Sequence, residues 1–375
     1  MTEIAELNED EMVLNMGPQH PSTHGVLRLE LRTDGEIVSA IRPHIGYLHR
    51  CFEKHAETLP YPQIIPFTDR LDYVAAMNNN LGLCLAVEKM LTLEIPAKAQ
   101  NLRVLAAELN RISSHLLAFG TYGIDIGAFT PFLYAFRERE MILNFFERMC
   151  GARLTYNYVR VGGVMRDLPS DLAAEILKFL NYFEPMLDTY DELLNYNKIF
   201  VERTAHVGIL DADTAIAWGV TGPALRAAGI DWDLRRDEPY GIYPKLKFEV
   251  PVGIGSKGEL GDCWNRHMIR VREMRESVKL CRQVLEGLPD GEWWGKVPKI
   301  LKLPAGEVYV RTENPRGELG FHIVSRGGKE PWRLKCRAPS FHNIAALQAM
   351  ATGSMIADII AMVGSLDIVL GEVDR

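Results

Sequence analysis

Apolar and polar residues alternate near the start of the chain in the pattern of two half-buried strands. The alternating runs cover residues 27–33 and 36–44, and they flank Asp34 and Gly35. An Asp-Gly pair between such runs is a strong signal for a β-hairpin, because both residue types tolerate the backbone that a tight turn needs. The pattern therefore predicts a β region at this end of the chain.

Further along, the spacing of apolar residues changes to that of helices. Between residues 98 and 119, a leucine or isoleucine recurs every three or four positions, at Leu102, Leu105, Leu109, Ile112 and Leu116. Further helices are predicted over residues 130–149, 170–197 and about 263–285. We expect Thr130 and Ser170 to cap the first two of these, and Pro185 to kink or break the second.

Strand-like runs return near the end of the chain, at residues 307–311, 320–325 and 332–337. Ser340 is then expected to cap a final apolar helix. These patterns predict an α+β protein, with a central bundle of long helices and β structure from both ends of the chain beside it. We expect a single domain over residues 1–375, made of an N-terminal β region (1–60), a helical bundle (61–290) and a C-terminal part with β structure, a last helix and a tail (291–375).

Composition and charge remove several classes of protein from consideration. A net charge of −7 and a pI near 5.9 give no electrostatic footprint for nucleic acid, so no nucleic-acid partner is expected. The most apolar stretch, residues 345–370, is interrupted by polar residues and does not reach the length of a membrane span. Residues 1–10 are acidic, the reverse of a signal peptide.

The six cysteines are scattered along the chain and form no C-x-x-C pair. A metal or iron–sulfur site made by this chain alone is therefore not expected, and the cysteines are predicted to be buried small apolar residues. The chain is expected to stay in a reducing compartment or on the membrane surface that faces it.

A segment rich in proline, glycine and histidine, residues 17–25 (GPQHPSTHG), comes before the first predicted strand. Its prolines and glycines restrict and turn the backbone, so the segment is expected to form a rigid loop that presents imidazoles at a defined place. Two solvated histidines in a turn would be the default interpretation. A pair of histidines in one proline-framed loop favours a functional site.

Other segments place polar side chains among apolar neighbours, at residues 44–54, 67–77, 121–132 and 367–375. Each has a structural explanation, since buried tyrosines and ion pairs also produce such clusters. The chain lacks the G-x-G-x-x-G, P-loop, G-x-S-x-G and H-E-x-x-H motifs, which removes the usual support for nucleotide binding and hydrolase chemistry. The residues by themselves indicate a possible proton-handling site.

Taken together, these segments resemble the D-subunit family of respiratory complex I, the NADH–quinone oxidoreductase. The resemblance covers nearly the whole chain. It rests on GPQHPSTHGVLRL, PHIGYLHR, FTDRLDYVAAM, DIGAFTPF, FERMCGAR, RVGGV, VPVG, GDCW, VREMRES and DIVLGEVDR, in this order. That family is related in turn to the large subunit of nickel–iron hydrogenases, which implies a hydrogenase-large-subunit-like fold.

In the hydrogenases, an R-x-C-G-x-C motif and a D-P-C-x-x-C motif supply four thiolates to the metal. The positions that match those cysteines here are Asp72, Ala75, Val369 and Glu372. Nickel prefers sulfur ligands in that setting, so the resemblance implies a pocket without metal that is open to another ligand.

The family resemblance implies that this ligand is the headgroup of a quinone. The contacts of the headgroup map onto His24 and Tyr73, with Asp125 as the partner of His24, and onto Thr121 and Val369 as residues that line the pocket. Quinone reduction consumes two electrons and two protons, which suits an imidazole, a phenol and a carboxylate that orients the imidazole.

The resemblance also implies the partners and cofactors. Electrons would come from a terminal iron–sulfur cluster in the neighbouring small subunit, with Arg50 close to that cluster, while NADH and FMN are bound elsewhere in the complex. The C-subunit and the membrane-embedded H-subunit of the complex are further expected partners, on the cytoplasmic face of the membrane. At position 155, where many members of the family carry a histidine near the cluster, this chain has Thr155.

Three alternatives to a proton-translocating NADH:quinone oxidoreductase are kept. A related complex could take electrons from ferredoxin or another donor, since other subunits decide the donor. A hydrogenase-type enzyme is opposed by the missing thiolates. A scaffold with a decayed site is opposed by the presence of His24, Tyr73 and Asp125. The sequence does not distinguish ubiquinone from menaquinone as the substrate.

Overall fold

The computed structural model describes residues 11–375, so the acidic residues 1–10 lie outside the described part of the chain. The strands are β1 (Glu11–Met16), β2 (Arg28–Asp34), β3 (Ile37–His44), β4 (Val159–Arg160), β5 (Gly163–Val164), β6 (Gly306–Asn314), β7 (Gly317–Ser325) and β8 (Arg333–Arg337). The helices are α1 (Phe52–Ala56), α2 (Tyr61–Thr68), α3 (Ala76–Leu91), α4 (Ala97–Asp125), α5 (Thr130–Cys150), α6 (Leu172–Tyr190), α7 (Lys198–Thr204), α8 (Ala212–Ala217), α9 (Pro223–Ala227), α10 (Leu234–Asp237), α11 (Cys263–Glu286), α12 (Pro339–Ala345), α13 (Leu347–Met350), α14 (Ile356–Leu366) and α15 (Leu370–Asp374). The predicted α+β class is confirmed.

The predicted N-terminal hairpin is present as β2 and β3, which pair antiparallel around the turn at Gly35. The strand β1 adds a third antiparallel strand on the other side of β2, which the sequence pattern did not predict. Leu29 and Leu31 are fully buried on one face of this sheet, as the alternation requires.

Long helices form the middle of the molecule. The helix α4 packs against both α5 and α11, and α3 packs against β6 and β7. The predicted helix within residues 98–119 is confirmed, and it extends to Asp125 at its C-terminal end. The helix predicted from about residue 263 is confirmed as α11, whose first turn is capped by Asp262 accepting a hydrogen bond from the Asn265 amide at 2.8 Å.

Two of the predicted helix caps are wrong. The helix α5 follows Phe129 as its N-cap, so Thr130 is already in the first turn, and α6 follows Asp171 instead of Ser170. Of the kink or break predicted at Pro185, the break is absent, because α6 runs through this proline to Tyr190 and changes to a π-helical turn only at Asp191–Asn195. Leu187 and Tyr190, beyond the proline, are fully buried, so tertiary packing overrides the local helix breaker.

The last part of the chain contains the predicted strands as an antiparallel sheet in the order β6, β7, β8. The single apolar helix predicted after Ser340 is wrong, because this stretch forms α12, α13 and α14 in succession. Ser340 lies inside α12, where its hydroxyl accepts a hydrogen bond from the Val369 amide at 3.2 Å. This serine therefore supports the final loop of the chain and caps no helix.

Segments from the two ends of the chain meet. The Val38 amide on β3 donates to the Ser354 carbonyl at 2.8 Å, and the Gly353 amide donates back to the Val38 carbonyl at 2.8 Å. The short 3₁₀ turn at Pro21–Thr23, between β1 and β2, packs on α14. A Cβ on Gly25 would stand 3.2 Å from Leu370 Cγ, so this loop also contacts the start of α15.

Between residues 11 and 375, none of the helices combines the length and the apolar character needed to cross a membrane. Five of the six cysteines are buried as predicted, whereas Cys51 is exposed just before α1. The prediction that all of them are buried is therefore wrong for Cys51, which occupies a left-handed turn position (φ 56°) at the molecular surface.

Candidate functional site

The histidine-rich segment folds into the rigid loop that its prolines predict. Pro21–Thr23 form one 3₁₀ turn, closed by the His24 amide donating to the Pro21 carbonyl at 3.4 Å. His24 then adopts the left-handed conformation (φ 54°), which histidine tolerates better than most residues. The buried hydroxyl of Thr23 donates to the His20 carbonyl at 2.8 Å and fixes the turn from inside. The backbone thus determines where the His24 ring points.

The ring of His24 contacts Asp125, the last residue of α4 and 101 positions further along the chain. Its Nε2 lies 2.5 Å from Asp125 Oδ2, and the two side chains are only 15% and 7% exposed. Burial alone lowers the pKa of His24. The hydrogen bond to Asp125, the Asp125 charge and the Asp367 charge outweigh burial and the opposing Arg316 charge, so the pKa is raised above its ordinary value.

Tyr73 lies in the loop between α2 and α3, where it is 39% exposed while Asp72 and Val74 on either side are buried. Partial burial raises the pKa of the phenol, and the charge of Asp72 adds to the effect. Arg316 and Arg50 oppose this shift but do not cancel it. The hydroxyl therefore keeps its proton at neutral pH, on a side chain that is accessible from outside.

A buried arginine, Arg316, holds this part of the molecule together. From the turn between β6 and β7, its Nη1 donates to Asp72 at 2.8 Å, and its Nη2 donates to Asp367 Oδ1 at 3.0 Å. Its Nε donates to the Asp367 carbonyl at 2.7 Å, and Nη1 also donates to the Ser114 hydroxyl at 2.9 Å. The guanidinium thus joins the loop before α3, the helix α4 and the segment after α14.

The charges of Arg316 and Asp367 act on both His24 and Tyr73. These two side chains therefore flank one buried ion cluster, although they come from different loops of the chain. The structure brings His24 and Asp125 into direct contact and places Tyr73 next to Asp72 of the cluster. The sequence patterns missed Arg316, because a lone arginine in a strand turn carries no local signal of burial.

The four positions that match hydrogenase cysteines lie in and around this cluster. Asp72 and Glu372 are fully buried and both interact with the Arg316 charge, while Ala75 and Val369 are buried apolar residues. Within residues 11–375, no group of three or more histidine, cysteine, aspartate or glutamate side chains is arranged to hold a metal ion. The donor set here is an acid–arginine cluster and lacks the soft ligands that nickel takes.

The remaining residues predicted for the site belong to the segments that form or adjoin the cluster. Thr121 is one helical turn before Asp125 on α4, and its hydroxyl donates to the Leu117 carbonyl at 2.9 Å. Val369 immediately precedes α15 and is buried. Arg50 donates to the Arg70 carbonyl at 2.6 Å and to the Gly371 carbonyl at 3.2 Å. This arginine therefore ties the segment before Tyr73 to the C-terminal segment.

A large cleft among the described residues lies elsewhere. It has a volume of about 920 Å³ and is walled by the end of α3, the start of α4 and the strand β6. Neither His24 nor Tyr73 lines it. We place the candidate site at the ion cluster, because proton-handling groups with shifted pKa values converge there and cavity size alone indicates no chemistry.

Comparison with known proteins identifies the family. Residues 125–302 and 294–375 match the family described as respiratory-chain NADH dehydrogenase, 49 kDa subunit. The chain is 52% identical to the NADH-quinone oxidoreductase D-subunit of Chlorobium luteolum over 374 residues, which cover 99% of this chain and 95% of that protein. The D-subunits of Chlorobaculum tepidum and Pelodictyon phaeoclathratiforme are 52% and 51% identical over 99% of this chain and 94% of each relative. The chain therefore belongs to the 49 kDa, or D, subunit family of the NADH-quinone oxidoreductase complex.

Proposed function

We propose that this chain binds the quinone headgroup in a proton-translocating NADH:quinone oxidoreductase and that quinone is reduced to quinol beside His24 and Tyr73. The observation that carries the proposal is the pairing of His24 with Asp125 next to a cluster that also faces Tyr73. The reaction consumes two protons. The imidazolium of His24, whose pKa is raised, and the protonated phenol of Tyr73 are the two groups that can donate them.

Each donor has a defined role in this proposal. Because Nε2 of His24 is held by Asp125, the Nδ1 proton of the imidazolium is the one given to a quinone oxygen. After this transfer the neutral ring keeps its Nε2 proton on the side of the carboxylate. The Tyr73 hydroxyl supplies the second proton to the other quinone oxygen. Thr121 and Val369 are proposed to line the headgroup pocket.

The two electrons are proposed to arrive from an iron–sulfur cluster in the neighbouring small subunit, with FMN and NADH further upstream in the complex. Arg50 is proposed to lie near that cluster, where its fixed positive charge would favour the reduced form. The C-subunit and the membrane-embedded H-subunit are the other proposed neighbours. The chain would then sit as a peripheral subunit on the cytoplasmic face of the membrane.

The test is quinone reduction by the assembled complex with Tyr73→Phe or His24→Ala. Loss of a positioned proton donor is expected to lower turnover by about 10²–10⁴-fold. Reduction of the terminal cluster by NADH, followed by electron paramagnetic resonance, should stay intact in both variants. Tyr196→Phe is the matched control, because Tyr196 is a half-exposed tyrosine outside the ion cluster around Arg316. Normal turnover in both site variants would contradict the assigned roles.

Two alternatives make different predictions in the same preparation. A hydrogenase-type enzyme requires about one nickel per chain in elemental analysis, whereas a cluster of Asp72, Glu372 and Arg316 is expected to bind none. A complex that uses ferredoxin or a similar donor would reduce quinone with that donor and not with NADH. Supplying each donor in turn therefore separates the NADH-dependent enzyme from its relative.

A further inference from the structure

The ion cluster around Arg316 contains more acids than bases. Asp72, Asp367 and Glu372 are all buried, and the guanidiniums that face them are Arg316 and Arg270, the latter with its Nε 3.6 Å from Asp367 Oδ2. With every group ionised, the cluster would hold an excess negative charge away from water. Burial of an uncompensated charge is costly, so one of the acids is expected to keep a proton.

The hydrogen bonds distinguish the three acids. Asp72 and Asp367 each accept a bond from Arg316, at 2.8 and 3.0 Å. Asp367 Oδ2 accepts no hydrogen bond from the described residues, but it lies 3.6 Å from the charged Arg270 Nε. Glu372 accepts from the Ser340 amide, at Oε1 and 3.0 Å, and its Oε2 has no hydrogen-bond partner among the described residues. The side chain of Glu372 is also fully buried. Glu372 is therefore the acid with the least support for a negative charge.

We propose that Glu372 holds a proton in the resting protein and supplies it, by way of Asp72, to Tyr73 after that tyrosine has protonated the quinone. This inference rests on the proposed function of Tyr73. The O–H bond of the Glu372 carboxyl breaks and the O–H bond of the phenol forms again, which leaves Glu372 as a carboxylate until it takes up a proton from water. No electrons move in this step.

The electrostatic surroundings agree with this geometry. Burial is the main cause that raises the pKa of Glu372, to about 8, and the charge of Asp72 adds to it, while the Ser340 contact and Arg316 act in the opposite direction. The charge of Asp72 also raises the pKa of Tyr73, so Asp72 acts electrostatically on both ends of the proposed transfer. Burial raises the pKa of Asp72 as well, but the hydrogen bond and the charge of Arg316 oppose that shift directly. From β8, the buried thiol of Cys336 also faces Glu372 and has a raised pKa, so it adds no charge at neutral pH.

Infrared difference spectroscopy on the assembled complex tests whether the proton is present. The complex with the native chain should show a protonated-carboxyl band at neutral pH that disappears in Glu372→Gln and fades as the pH rises past about 8. Asp374→Asn is the control, because Asp374 lies two positions along the same helix and both of its oxygens accept backbone amide bonds, at 2.8 and 2.7 Å, whereas Glu372 Oε2 accepts none. A band of the same size in Glu372→Gln would overturn the proposal.

Turnover tests whether the proton is used. Glu372→Gln should lower the rate of quinone reduction by about 10²-fold, the smaller end of the range for loss of a positioned proton donor. Glu372→Asp should recover part of the lost rate. Reduction of the terminal iron–sulfur cluster by NADH, which measures assembly of the complex, should be unchanged. Full turnover in Glu372→Gln while Tyr73→Phe is slow would overturn this inference alone. Full turnover in Tyr73→Phe would overturn the site assignment, whatever the infrared band shows.

Discussion

Gly364 on α14 leaves room for the carboxylate of Asp125. A Cβ at position 364 would stand 2.7 Å from Asp125 Oδ2 and 2.6 Å from Tyr122 Cδ2, both closer than real Cβ contacts. The same Oδ2 atom bonds His24. The absence of a side chain at one position of α14 therefore permits the contact between α4 and the histidine loop.

Gly364→Ala is expected to displace Asp125 from His24 and to lower quinone reduction. Helix propensity alone favours alanine by about 1 kcal/mol, whereas overpacking at a buried position costs about 1–3 kcal/mol. The clash is therefore expected to outweigh the propensity gain and to lower the free energy of unfolding. Turnover and thermal inactivation of the assembled complex measure both effects. Ala357→Gly, at an exposed position of the same helix, is the control. It should lower the stability of the complex and leave the turnover of quinone reduction unchanged. A more stable, fully active Gly364→Ala complex would contradict the packing argument.

Asp125→Asn is expected to shift the pH dependence of quinone reduction. The Asp125 carboxylate raises the pKa of His24, and without it only the charge of Asp367 opposes burial, the largest single cause, and the charge of Arg316. The high-pH limb of the rate profile, where the imidazolium loses its proton, should therefore move to lower pH. The stabilising effect of the pair is fully present below the ordinary pKa of 6.5 and is lost as pH rises through the raised value. An unchanged limb would show that another group controls the profile.

Arg316→Lys is expected to destabilise the subunit strongly although it keeps the charge. A lysine ammonium cannot reproduce the planar set of bonds to Asp72 and to both the side chain and the carbonyl of Asp367. Each buried acceptor that the lysine leaves without a hydrogen bond is expected to cost about 1–3 kcal/mol. Thermal inactivation and the yield of assembled complex are the measurements. Arg236→Lys, in a partly exposed ion pair with Asp231, should change little, and equal effects of the two variants would refute the role of Arg316.

Thr155 is expected to make the potential of the neighbouring terminal cluster nearly independent of pH. Threonine has no proton to exchange between about pH 6 and 8, the range around an ordinary histidine pKa. The backbone at Thr155 is left-handed (φ 51°), which a β-branched residue disfavours and histidine accepts. Thr155→His should therefore fit, and its imidazolium should raise the midpoint potential as the pH falls.

A redox titration of the complex, followed by electron paramagnetic resonance, measures this potential. Thr92→His is the matched control, because Thr92 has the same residue type and a left-handed backbone (φ 49°) but lies at the 920 Å³ cleft. A slope close to one proton per electron in the native complex would refute the role given to Thr155.

The parts of the fold that could be predicted from the sequence are those with a local signal. The Asp-Gly turn gives the hairpin β2–β3, and regular apolar spacing gives α4 and α11. The helix α3 has no such signal, because the polar run Asn78–Asn80 lies near its start and is nonetheless buried. The Asn79 and Asn80 side chains both donate to Thr68, at its carbonyl and its hydroxyl, so this helix is specified by distant partners.

In the candidate site, too, some features have a local signal in the sequence and others depend on distant partners. The rigid loop of residues 17–25 could be predicted from its prolines and glycines. The pairing of His24 with Asp125 was implied by family resemblance alone, since no local pattern links residues 101 positions apart. Burial of Arg316 and the charge excess at Glu372 needed the three-dimensional structure, because they arise only when separate segments of the chain converge.

Contacts between early and late segments of the chain have a consequence for biosynthesis. Val38 pairs with Ser354, and the histidine loop packs on α14. The histidine loop leaves the ribosome long before α14 and Leu370, which it contacts in the folded protein. Because a domain can form only from segments that have been made, the contact between His24 and Asp125 is expected to become ordered only after α14 is available. A nascent chain stopped before Gly364 would carry His24 and Tyr73 without the helix that supports the loop, so the two side chains would lack the arrangement described above.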